Sequence, residues 1–148
     1  MSQPRHVLFE AGGLPLAVPA DAVQGIHDEL ALQRVEGTRP WFLGLAVADG
    51  RLLPITDLGA WLGLRAAGGR TLQLRADVGI AGFRVDTVYG LSDADTDVES
   101  EPGMDVASAP EGVLTPFTIV EDERQHRILD LAGLLQSPRF LDIAAEGA

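Results

Sequence analysis

The feature that most limits how this chain can fold is that it nearly repeats itself, at two different spacings. "DAVQGI" at 21–26 returns as "DTVYGL" at 86–91, an offset of 65 residues, keeping Asp, Val, Gly and a final aliphatic. "AVADGRLLPITDL" at 46–58 returns as "IVEDERQHRILDL" at 119–131, an offset of 73, with six of thirteen positions identical; background composition gives about one. The order of features agrees too: strands, the Asp-x-Val-x-Gly turn, a hairpin, then a strand ending in Asp-Leu before a short helix. Two similar β-units are therefore expected, the second longer by the eight residues separating the offsets, inserted between Leu91 and Ile119. Each unit alone is too small to bury a comfortable core, so the two should pack together and leave a groove between them, a favoured place for binding.

Within the units, 17 glycines and 9 prolines punctuate short apolar segments such as "HVLFEA", "LPLAV", "RLLPI", "TLQLRA" and "IAGFRV". These read as strands of about five residues. Helix signals are few. Asp57 leads into Leu58, Ala60, Trp61 and Leu62 before Gly63, and Asp130 leads into Leu131, Leu134 and Leu135 before Ser137-Pro138. Because the two aspartates are twins in the same strand-to-helix setting, N-capping explains both, whereas catalysis would explain at most one. A third helix is expected to begin at Ser137, with Pro138 in its first turn and Phe140 and Ile143 turned inward.

Composition removes several functions. At 148 residues the chain suits one domain, or two small halves sharing a core. Its longest apolar run, Phe42 to Ala48, is far too short to span a bilayer, so no membrane insertion is expected. Charges stand where a signal peptide needs an apolar core, so a cytoplasmic protein is expected. With no cysteine there are no disulfides, thiolate metal sites or cysteine nucleophiles. A net charge of −11 argues against nucleic acid, whose binding depends on neutralising phosphates.

No set of residues points to catalysis. The acidic run Asp93, Asp95, Asp97, Glu99 and Glu101 resembles a calcium loop at first, but Val98 and Met104 stand where that loop needs glycine and a bidentate glutamate. It reads instead as a solvated acidic loop; the whole of 92–111 is expected to be mobile and dispensable for folding. His6, His27 and His126 share no metal-ligand spacing. Trp41 and Trp61 are expected in the core, and Tyr89 either packs or faces a partner. No cofactor, metal or catalytic residue is expected.

The motifs resemble the CheW-like domain family. "FLGLAVADGRLLPITDLGAWLGL" (42–64) is similar to its signature hairpin and helix, "GFRVDTVYGL" (82–91) to its second block, and "RILDLAGLL" (127–135) to its closing strand and helix. The resemblance spans roughly residues 6–136 and implies an all-β fold of two similar five-stranded, SH3-like barrels with short capped helices. The expected division is a single CheW-like domain over 1–148, with subdomains at 14–85 and at 86–136 plus the N-terminal strand, and 137–148 as a C-terminal helix or tail.

What the resemblance implies about function is a stand-alone, non-enzymatic adaptor. Such proteins couple methyl-accepting chemotaxis receptors to a CheA-type histidine kinase, in bacterial chemotaxis or type IV pilus signalling. Two positions depart from the family. Where Asn-x-Arg-Gly is usual, this chain has Val47-Ala48-Asp49-Gly50, so the asparagine is lost and an acid replaces the arginine; Asp49-Gly50 also reads as a two-residue hairpin turn between the two apolar strands. Val47, Asp49, Gly50, Arg51 and Tyr89 are accordingly the candidate partner-binding residues. The competing reading is a divergent double barrel that binds a small ligand, or performs carboxylate chemistry with Asp21 and Asp86, in the groove between units.

Overall fold

A computed structural model describes residues 6–28, 30–98 and 113–143 of the chain. Eleven strands are formed among the described residues. They are β1 (His6–Ala11), β2 (Leu14–Pro19), β3 (Val23–His27), β4 (Phe42–Ala48), β5 (Arg51–Asp57), β6 (Arg70–Leu74), β7 (Gly82–Val85), β8 (Thr87–Ser92), β9 (Asp97–Val98), β10 (Leu114–Glu121) and β11 (Arg124–Leu129). Three short helices follow the expected signals: α1 (Leu58–Trp61), α2 (Leu131–Gln136) and α3 (Pro138–Leu141).

The strands form two sheets, ordered β8-β1-β2-β11-β10-β9 and β3-β6-β7-β5-β4. The fold is thus all-β and doubled, as the resemblance implies. Both sheets curl. Five residue steps from Ser92 to Asp97 connect opposite edges of the first sheet; they reach at most about 17 Å, whereas six flat strands hold their edges about 24 Å apart. The Ser92 hydroxyl accordingly meets the Glu121 carboxylate at 2.6 Å, across from β8 to β10. In the second sheet an isolated bridge from Gln33 to Leu45 does the work of β9. Gly44 permits that bridge, since a Cβ there would lie 2.3 Å from the Gln33 carbonyl oxygen.

The ladder registers reproduce both sequence offsets. His27 pairs with Thr71 as Ser92 pairs with His6, and Ile55 lies opposite Gly82 as Ile128 lies opposite Ala17. Each first pair maps onto its counterpart through shifts of 65 and 73. The division between units differs from expectation at one place. Leu14–Pro19 belongs with β1 and β11 in the six-stranded sheet, not with β3–β7, because it zips onto β1 over six residue pairs and runs parallel to β11. The whole N-terminal hairpin therefore joins the C-terminal strands, and the units divide between β2 and β3. Beyond five strands, the first sheet carries the two-residue β9 at its edge.

The largest core lies between the two sheets. Val7, Phe9, Leu16 and Val18 of one meet Leu72, Leu74, Phe83 and Val85 of the other, with Leu58, Trp61 and Leu134 completing it. Smaller clusters fill each unit: Leu8, Ala17 and Ile119 in one, Ala46, Ala48, Leu53 and Ile55 in the other. Burying a residue such as Trp61 or Phe9 stabilises by roughly 1.5–3 kcal/mol, so this shared core explains why neither half need stand alone.

Asp57 and Asp130 both cap. Asp57 Oδ1 accepts from Ala60 N at 3.0 Å and Asp130 Oδ1 from Gly133 N at 3.1 Å. On α3, Phe140 sits among Trp41, Trp61 and Phe83 with ring centroids at 6.3, 6.0 and 5.9 Å. Both tryptophans are buried. Of the stretch 92–111 expected to be mobile, residues 99–111 lie outside the described residues, while Ser92 ends β8 and Asp97–Val98 forms β9.

Candidate partner-docking surface

The β4–β5 hairpin is built around Ala48-Asp49-Gly50-Arg51. Asp49 and Gly50 both take positive φ, 51° and 73°, as a two-residue type I′ turn requires. Register follows from the turn: Ala48 opposes Arg51 and Val47 opposes Leu52. Alternation then sends Ala46, Ala48, Leu53 and Ile55 inward. The opposite face carries Leu45, Val47, Leu52 and Pro54, and of these Val47 and Leu52 are 65% and 63% exposed. Two large aliphatics directly opposed on a solvent face are an unusual use of apolar surface, characteristic of contact with another molecule.

This face forms the floor of a hollow of about 740 Å³ shared with Leu32 and Val35. Through Leu45 it continues into a second depression of about 760 Å³, walled by Phe42, Pro54, Ile80, Leu135, Phe140 and Leu141. That depression is the expected groove between units, since β4, β5 and the β6–β7 turn form one side and α2 and α3 the other. Its predominantly apolar wall suits a partner's apolar side chains.

The candidate residues divide by place. Val47 lies on the apolar face and Asp49-Gly50 at the tip. Arg51 and Asp49 also line a smaller hollow of about 250 Å³ with Gln24 and Gln73. Tyr89 is elsewhere, on β8 of the other unit. Its hydroxyl donates to Glu10 Oε2 at 2.7 Å, the Arg124 guanidinium lies 4.3 Å over its ring, and the His126 ring meets it edge-on at 5.5 Å. The hydrogen bond to Glu10, then burial, pushes the Tyr89 pKa upward. Burial pushes His126 below its usual value, against backbone carbonyls of Leu16 and Phe9 that favour its charged form.

The alternative acids do not converge. Asp86 Oδ2 accepts from Gly13 N at 3.0 Å and so holds the β1–β2 turn. Asp21 lies exposed in the 3-10 turn Ala20–Ala22, and no hydrogen bond or ion pair joins the two among the described residues. His6, His27 and His126 stand in β1, β3 and β11, with His27 Nε2 bonded to Gln73 Oε1 at 2.8 Å. Sequence reasoning overlooked Leu52 and the α3 wall of the groove. For Leu52 a signal exists: of the adjacent Leu52-Leu53 pair in a strand, one must face outward.

Two similar curled sheets sharing a core, with one aspartate-capped helix after β5 and another after β11, define a fold of the CheW-like type. The chain belongs to that family: the CheW-like domain model matches residues 5–139. It is 31% identical over 145 residues to Protein PilI of Pseudomonas aeruginosa, covering 92% of this chain and 78% of that protein. The crystal structure of scaffolding protein TtCheW from Thermoanaerobacter tengcongensis has the same fold, with a TM-score of 0.69, 15% identity, and coverage of 93% and 96% of the two chains.

Proposed function

We propose that this protein is a non-enzymatic, cytoplasmic adaptor that couples methyl-accepting chemotaxis receptors to a CheA-type histidine kinase. Similarity to PilI, whose name places it among pilus proteins, favours type IV pilus signalling over flagellar chemotaxis. The observation carrying this reading is the continuous apolar surface from Val47 and Leu52 through Leu45 into the groove, on a family scaffold. An adaptor needs binding faces and no reactive groups. Two packed units can offer one face to each partner, and the rigid shared core then holds the partners in a fixed relation.

Binding would rest on desolvating Val47 and Leu52, with Asp49, Gly50 and Arg51 at the hairpin tip setting charge preference. Tyr89 would contact a partner from the second unit. The test is calorimetric titration of the purified protein with the regulatory domain of the host's CheA-type kinase and, separately, with the receptor's cytoplasmic signalling domain. Val47→Glu/Leu52→Glu should weaken at least one of the two by tenfold or more while Tm stays within a few degrees. Absence of binding to both partners by the unmodified protein would overturn the proposal.

A further inference from the structure

The internal repeat supplies a comparison within the molecule. At the offset of 65, Thr71, Gln73, Gly82 and Arg84 occupy the places that His6, Leu8, Ala17 and Pro19 hold in the six-stranded unit. At the offset of 73, Ala46 stands for Ile119. Where one unit is filled by Leu8, Ala17 and Ile119, the other has an amide, a glycine and an alanine. Its end is also marked by a cation instead of a proline.

Arg84 lines a hollow of about 570 Å³ at that end, with its cross-strand partner Thr71, Gly68, Gly69, Leu30 and Asp28. Its Nε is buried without a hydrogen-bond partner, and no ion pair engages its guanidinium among the described residues. Asp28 does not serve, being exposed and held by Arg70 at 2.9 Å. A guanidinium presents a planar fork of donors, so one that lines an open hollow without an ion-pair partner suits an anionic acceptor.

We propose that this pocket is a carboxylate-binding site, with the Arg84 guanidinium as the anchor and Leu30 and Ala31 flanking a short aliphatic stem. Carboxylate is favoured over phosphate by charge. The Asp28 carboxylate on the rim and the net charge of −11 oppose a dianion more than a monoanion. The site is separate from the Val47–Leu52 face and does not depend on the adaptor reading. The carboxylate is either that of an Asp or Glu side chain on a bound protein or that of a free small acid.

The experiment is a nitrogen–proton NMR titration of the full chain with sodium acetate, N-acetylglutamic acid α-amide, sodium phosphate and sodium chloride at matched ionic strength. The Arg84 Nε–Hε signal and the amides of Gly68, Gly69 and Thr71 should shift saturably with both carboxylates, at Kd values in the millimolar range, of the order expected for one charge-assisted pair. Arg84→Met should weaken this at least tenfold, with Arg84→Lys intermediate. Tighter binding of the glutamate amide than of acetate assigns the site to a partner's acidic side chain; tighter acetate assigns it to a free acid. Shifts that are linear and equal with chloride, or phosphate binding more tightly than either carboxylate, would overturn the proposal.

Discussion

Asp57 accepts hydrogen bonds from two amides seven residues apart in different roles: Oδ1 from Ala60 N at the start of α1, and both carboxylate oxygens from Ala67 N at 2.9 and 3.2 Å. It is therefore more than a cap. A single side chain, 3% exposed, starts the helix and also pins the segment that follows it.

Asp57 and its twin Asp130 should consequently differ. Asp130 is exposed and meets Gly133 alone, so Asp130→Ala should cost about 1 kcal/mol, the usual worth of a cap. Asp57→Ala also orphans the buried Ala67 amide and should cost about 2–4 kcal/mol. Urea unfolding of both variants checks this, and equal losses would show that the Ala67 contact adds nothing.

The two hairpin turns should respond oppositely to substitution. Asp122 and Glu123, joining β10 to β11, take φ of 49° and 63°, matching Asp49-Gly50 without the glycine. A non-glycine residue in this region costs about 1–2 kcal/mol. Glu123→Gly should thus stabilise by about 1 kcal/mol and Gly50→Ala destabilise by a similar amount. Thermal unfolding reads both.

Stability should fall on acidification partly through His126. Its pKa is lowered by burial in the folded state, so between that value and the unfolded value of about 6.5 the unfolded chain binds more protons. Stability contributed by the neutral ring is complete above about pH 6.5 and declines below it. His126→Gln should flatten the dependence of urea midpoint on pH between about 7.5 and 5.5. Parallel slopes for the two proteins would remove His126 from the account.

Phe140→Ala should lower stability by about 2–4 kcal/mol, because three aromatic contacts vanish and little can move in to replace them. Arg139 donates to the Trp61 carbonyl oxygen at 2.5 Å, which keeps α3 in place while the site beside it empties. Increased binding of a hydrophobic dye to the variant would report the opened groove.

Asp49→Arg addresses specificity. Asp49 is exposed at the hairpin tip, so reversing its charge alters a partner contact without disturbing the core. Binding to the protein's own kinase or receptor should weaken, and binding to a CheA-type kinase or receptor of another pathway should strengthen. Stability should drop only modestly from the poorer turn residue. Unchanged affinity for both sets would leave Asp49 as a turn residue alone.

Local chemistry was legible in the sequence. Both caps, the Asp49-Gly50 turn, the inward Phe140 and the doubled architecture depend on residues a few positions apart, or on a pattern that recurs, and such signals survive in one dimension. The offsets of 65 and 73 even anticipated which residues would sit in equivalent ladder pairs. What the tertiary structure alone decided is partnership. The β1–β2 hairpin makes the same bonds to itself wherever it docks, and β6–β7 is a similar hairpin in the equivalent place of the other sheet, so nothing in Leu14–Pro19 announces that it lies beside β11 rather than with β3–β7. Likewise Asp57 reads as a cap, but its hold on Ala67 appears only once the chain has turned back, and Arg84 reads as an ordinary strand residue until the fold sets it beside the hollow lined by Leu30, Gly68 and Gly69. Long-range burial sets those choices, and it is summed over contacts that sequence spacing does not record.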